Sequence, residues 1–249
     1  MKIIPKTIKV ITWAGILAPI LVIHATEKLI AQAPLDFTET GFTENFDKFD
    51  PSRFQTEIPN RNSRIRKGVL WTSGDSGGKY PPMIRLELAP LGLAAQDLEI
   101  SFRFRFLEQN CLIWFFIDGD DGFGSVDHLL RVKLLAGGVQ LQIDSHSLDA
   151  NDPRRQNKDR PADKVSGAFR LSQKLPKDPV ELKIHQWHDI KVVFRGRDVT
   201  ISVDDQKWKK TLHNPSFHAN KHKLLWMQKS GKKGIEIDNL KITKANDPR

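Results

Sequence analysis

An all-β fold of two packed antiparallel sheets is what the sequence predicts, on three observations. Residues 98–106, LEISFRFRF, carry Leu98, Ile100, Phe102, Phe104 and Phe106 at every second position. Side chains alternate across a strand, so this stripe faces a core while Glu99, Ser101, Arg103 and Arg105 face out. In residues 187–204, WHDIKVVFRGRDVTISVD, two alternating sets, Ile190, Val192, Phe194 and Val199, Ile201, Val203, flank Gly196 as the arms of a hairpin. The closing stretch GIEIDNLKIT at 234–243 alternates through Ile235 and Ile237, slips phase at Asp238 and Asn239, and resumes at Leu240 and Ile242. An extra residue in a bulge produces that slip.

At the start of the chain, Lys2, Lys6 and Lys9 precede an apolar stretch at 13–23, and small residues follow at Ala25 and Ala33. That is the order of a secretory signal peptide, cleaved after Ala25 or Ala33, and the apolar stretch is short for a membrane span. Residues 1–33 are expected to be removed on export to the periplasm, cell envelope or medium, leaving 34–249 as one β-sandwich domain, with an uncleaved anchor as the alternative.

Strands are expected at 69–72, 83–88, 98–106, 111–118, 128–135, 139–144, 180–184, in the two hairpin arms, at 224–228 and at 235–243. Ala136, Gly137 and Gly138 turn the strand at 128–135 back onto the next as an antiparallel pair. Many antiparallel strands at short spacing pack as two sheets, a sandwich or jelly roll. The segment 145–179 is polar, carries Pro153, Pro161, Pro176 and Pro179, and has one brief apolar patch at Phe169 and Leu171. Its length and composition predict a partly disordered insertion.

The chain has 39 basic and 30 acidic residues, a formal charge of +9. Removal of residues 1–33 takes four lysines and one glutamate, leaving +6. The excess sits at 152–164 and 207–233, with no helix-turn-helix, zinc-finger or RNP pattern, so a nucleic-acid partner is not expected. Exposed cations favour an acidic polysaccharide or an anionic envelope surface. The one cysteine, Cys111, lies within the apolar run CLIWFFI and reads as a buried small hydrophobe, which leaves no intramolecular disulfide. An exported chain without disulfides fits a bacterial cell.

The elements Phe42-Thr43-Glu44-Asn45-Phe46-Asp47, Lys67-Gly68-Val69-Leu70-Trp71, Trp187-His188, Val203-Asp204-Asp205 and Ile235-Glu236-Ile237-Asp238-Asn239-Leu240-Lys241-Ile242 resemble the concanavalin A-like lectin/glucanase superfamily. Within it they are most similar to the laminin-G-like and 3-keto-disaccharide hydrolase-like domains of exported bacterial proteins. The resemblance implies a concanavalin A-like jelly roll over most of residues 34–249, with the last strand pairing back near the first. Its motifs specify a scaffold, and loops and sheet surfaces carry function on such folds.

Glu236-Ile237-Asp238 looks like the Glu-x-Asp-x-x-Glu strand of related retaining glucanases, where two carboxylates flank one glycosidic bond. Lys241 replaces the second glutamate and the bulge breaks the alternation, so no glucanase site is assigned there. The hydrolase-like group's Gly-Asn-Ser-Gly element is also missing, its place taken by Glu108-Gln109-Asn110-Cys111-Leu112.

Two constellations remain. The turn from Asp118 through Asp120 and Asp121 to Asp127 and His128 gathers carboxylates of the kind calcium binds, although Asp and Gly are also what tight turns use. Alternation also turns Arg85, Glu87, Arg103, Arg105, Trp114, Arg131 and Lys133 away from the core. If their strands are neighbours, Trp114 stacks on a sugar ring while the arginines hold hydroxyls or carboxylates. Trp114 lies in a run apolar on both faces, and core packing is the competing reading. The expected function is binding of a polysaccharide or other glycan, acidic in character, without catalysis. The alternatives are a glycoside-processing enzyme, which needs a carboxylate and a histidine converging among Asp118, Asp127 and His128, and a structural protein-interaction module.

Overall fold

The stripe at Leu98–Phe106 forms the central strand of an eight-stranded sheet, with all five of its apolar side chains buried and the intervening residues half-buried. The structure is a computed structural model that describes residues 41–55, 62–74, 83–120, 127–147, 151, 153 and 169–245. The chain divides into two units, Met1–Asp36 and Phe37–Arg249, and every described residue belongs to the second. The expected signal peptide at 1–33 and the middle of the expected insertion at 145–179 lie outside the described residues. Among the described residues no helix is long and apolar enough to cross a membrane.

The strands in chain order are β1 (Gly41–Glu44), β2 (Ser63–Arg66), β3 (Val69–Thr72), β4 (Met83–Glu87), β5 (Leu98–Phe106), β6 (Leu112–Asp120) and β7 (Asp127–Leu135). They continue as β8 (Gly138–Ser147), β9 (Phe169–Asp178), β10 (His188–Arg195), β11 (Asp198–Val203), β12 (Trp208–His213), β13 (Asn220–Ser230) and β14 (Ile235–Lys244). The eight-stranded sheet runs β12-β11-β10-β5-β14-β3-β2, with β1 also on β14; the other sheet runs β4-β13-β6-β7-β8-β9. Neighbours pair antiparallel in both. Their inner faces share one hydrophobic core, in which Phe102 meets Phe115 edge-on at 5.0 Å and Phe115 stacks on Trp226 at 5.1 Å. Such aromatic contacts favour offset and edge-to-face geometries over face-to-face ones.

The expected hairpin is β10 and β11, turning at Gly196 with φ +55°. The expected bulge is present: β14 shifts register against β5 between Asp238 and Lys241, and Asn239 takes a positive φ of 49°. The bulge lets Ile237 and Leu240 both reach the core. One edge of β14 is then shared, β3 pairing with Ile235–Ile237 and β1 with residues 240–243, so the last strand does return to the first.

Two expectations are corrected. Residues 180–184 are not a strand: they carry the chain from the edge of one sheet to the middle of the other, and Leu182 is buried while its N–H reaches the Ala136 carbonyl. Apolar spacing alone does not separate a crossing segment from a short strand. In the segment read as a partly disordered insertion, Phe169–Asp178 is instead strand β9, paired along β8. It lies at a sheet edge, where one side of the ladder is free and Pro176 is tolerated. An edge strand that is half-buried or exposed along most of its length shows no clean alternation.

Candidate functional site

The outer face of the six-stranded sheet differs from an ordinary solvated face. On β6 the residues turned away from the core are Trp114, Phe116 and Asp118, and on β13 they include Leu225 and Met227. Phe116, Leu225 and Met227 are all buried, and together with Met83 and Trp114 they form a second apolar cluster separate from the main core. Across the sheet Phe116 sits opposite Leu225 on one side and Arg131 on the other.

Polar groups are set into this floor. Asp144 on β8 is buried and takes hydrogen bonds from Arg131 and from Arg170 of β9, the latter at 3.0 Å. Asp118 is fully buried and pairs with His128 Nδ1 at 2.5 Å, while the His128 ring lies 4.7 Å from that of Phe116. Among the described residues, Trp114 Nε1, Asp118 Oδ2, Arg131 Nε and Asp144 Oδ1 are buried and have no hydrogen-bond partner. Buried polar atoms are ordinarily satisfied, so four orphans on one face need a reason, and a site that takes a polar ligand supplies one.

The backbone explains why Asp118 and His128 meet. Both strands flanking β6 slip register at this point: β7 passes from Leu130 opposite Ile117 to His128 opposite Asp118, and β13 passes from Lys223 opposite Asp118 to Lys221 opposite Gly119. Leu129 and Leu130 are then both fully buried, and His128 is turned outward onto Asp118. Bulges re-aim side chains in this way and recur beside functional sites. Gly119 fits because a Cβ there would strike Leu129 and lie 2.8 Å from the Asn220 carbonyl oxygen.

The seven residues expected on one sheet face are split between two. Arg85, Glu87, Trp114, Arg131 and Lys133 do share the outer face of the six-stranded sheet, where Glu87 pairs with Lys223 at 2.9 Å. Arg103 and Arg105 belong to the other sheet, because β5 pairs with β10 and β14. There Arg103 is held by Asp238 and Arg105 by Glu236, with the Trp187 ring 4.5 and 4.7 Å from the two guanidinium carbons. The two acidic residues that spell a glucanase motif thus serve as partners of arginines. His188 is buried with both ring nitrogens engaged, one on Asp204 at 2.7 Å and the other on the Lys183 carbonyl at 3.0 Å.

Of the carboxylates expected to hold calcium, Asp118 is committed to His128, Asp120 is exposed at the end of β6, Asp127 stands opposite Gly119 in the ladder, and Asp121 lies outside the described residues. Among the described residues no three His, Cys, Asp or Glu side chains gather as a metal site. Asp144 and Arg170 were missed by the sequence reading. The alternation Gln140, Gln142, Asp144 already turns Asp144 outward, but Arg170 lies on the edge strand whose sequence carries no strand signal.

No curated protein matches the chain in sequence. Among solved structures, the chain is similar to a glycoside hydrolase family 16 endo-glucanase from Bacteroides ovatus, with 14% identity and a TM-score of 0.55 over 81% of this chain and 99% of that one. It is also similar to a sialidase, with 9% identity and a TM-score of 0.53, covering 83% of this chain and 19% of that one. At these identities the likeness is one of fold, the concanavalin A-like jelly roll. The family model described as the laminin G domain matches residues 104–229, and the chain belongs to that family.

Proposed function

We propose that this is an exported carbohydrate-binding module that holds a polysaccharide or envelope glycan on the outer face of its six-stranded sheet without cleaving it. The observation that carries this reading is the coincidence on one face of an apolar floor containing Trp114, the Arg131–Asp144–Arg170 group and four buried polar atoms without a partner among the described residues. Sugar recognition needs those two elements together: an aromatic surface for the C–H face of the ring, and fixed donors and acceptors for the hydroxyls. The similar endo-glucanase shows that this fold carries carbohydrate chemistry in another protein.

One observation favours a second reading, an enzyme acting on glycosidic substrates. Asp118 and His128 converge on the same face, and a carboxylate that orients an imidazole is a common arrangement for proton transfer. A single experiment separates the two. On a glycan array with and without calcium, the protein is expected to retain a polysaccharide in both conditions, and incubation with that polymer is expected to release no new reducing ends. A blank array defeats the binding reading. Turnover that disappears in His128→Ala replaces it with the enzyme.

A further inference from the structure

Within this proposed glycan site, and resting on that reading, we infer that the Trp114 end is a subsite for an anionic sugar group, a carboxylate or a sulfate, with Lys133 as its principal counter-charge. Lys133 stands on β7 directly opposite Trp114 and is only 7% exposed, with its ammonium 4.6 Å from the indole ring centre. Lys229 brings a second ammonium to 4.8 Å from the same ring. Among the described residues, the other buried charges on this face have fixed partners: Asp144 has two arginines and Asp118 has His128. Among the described residues Lys133 has the indole face and no carboxylate within ion-pairing distance.

That arrangement is costly for the empty protein. Burial pushes the Lys133 pKa down, and the nearby cations Lys174, Arg131 and Lys229 push it further in the same direction, against the opposing influence of Asp144. Asp144 is already shared between Arg131 and Arg170. An anion beside Lys133 would supply the missing counter-charge, and the unpartnered Trp114 N–H is a second donor at the same end of the face. The half-buried Trp114 ring is the apolar surface left for the attached sugar, with the buried Phe116 and Met227 packed beside it. A neutral sugar supplies no counter-charge, so the site should rank polymers by charge as well as by shape.

The test uses the full chain in affinity electrophoresis against polygalacturonate, dextran sulfate and the uncharged glucan laminarin, with wild type, Lys133→Met, Lys174→Gln and Lys229→Gln. Met keeps the length of the buried Lys133 stem, while Lys174 and Lys229 are exposed, where substitutions ordinarily change stability little. Wild type is expected to bind at least one of the two anionic polymers more tightly than laminarin. Lys133→Met should weaken that binding about tenfold, the effect of losing one charge-assisted bond. The two Gln variants should each weaken it less, and laminarin binding should not change. The two anionic arms tell a carboxylate from a sulfate. Binding of laminarin as tight as that of both anionic polymers, or anionic binding unaffected by Lys133→Met, overturns the subsite while leaving the glycan-binding reading in place. Failure of all three polymers overturns the subsite, while the glycan-binding reading falls only with a blank array.

Discussion

Lys221 illustrates how a single residue sets a solution property. Its side chain is fully buried on β13, its ammonium donates to the carbonyls of Gln96 and Phe217, and it lies 4.3 Å from the Phe194 ring centre. Burial lowers its pKa from 10.5 to about 7, only partly opposed by Asp97. Between those two values the unfolded chain holds a proton that the folded chain has released, so stability rises with pH across the window and is lowest below it. From pH 7 to pH 9 this group should add about 2 kcal/mol of unfolding free energy. Urea titrations of wild type and Lys221→Met at the two pH values check this: the wild type should gain on the variant by that amount, and parallel behaviour contradicts the assignment. Lys221 drew notice in the sequence only as one of a run of basic residues, because a helical or strand pattern does not reveal a buried ammonium. Cys111, by contrast, was read correctly as a buried hydrophobe, and burial raises its thiol pKa.

At the level of elements, the two register slips that flank Asp118 are the features on which the candidate site depends. Gly119→Ala would drive a methyl group into Leu129 and the Asn220 backbone, and the slip in β7 could not form without displacement. Overpacking of this kind costs roughly 1–3 kcal/mol. The variant should melt lower, and the His128 ring resonances in an NMR spectrum should shift as the imidazole leaves Asp118. An unchanged melting temperature with unmoved His128 signals would show that the slips tolerate a side chain. The bulge in β14 was legible because alternation breaks visibly between Ile237 and Leu240. The slip in β7 was not, because Leu129, Leu130 and Val132 read equally well in either phase. Edge strands β9 and β12 were also missed: they are only partly buried and carry charged residues that protect a sheet edge from pairing with other chains, so their apolar pattern is weak.

On the scale of the whole molecule, the proposal of export makes a direct prediction. When the full chain is expressed in a bacterium, mass spectrometry of the protein from the envelope or periplasmic fraction should find a new N-terminus after Ala25 or Ala33. An intact Met1 in that fraction, or retention of the whole product in the cytoplasm, contradicts it. The proposed glycan site adds that binding should weaken with salt, since attraction between exposed charges is screened within about 8 Å at physiological ionic strength.

By itself the sequence determined the all-β class, most strands, the hairpin, the closing bulge and which side chains turn away from the core, because each follows from the two-residue period of a strand and is read locally. Only the tertiary structure decided which outward residues meet. Arg103 and Arg131 look alike in their strands, yet β5 joins one sheet and β7 the other, so one arginine is tied to Asp238 beneath Trp187 and the other to Asp144 beside Arg170. Strand order is set by pairing between segments far apart in the chain, and local periodicity carries no information about it.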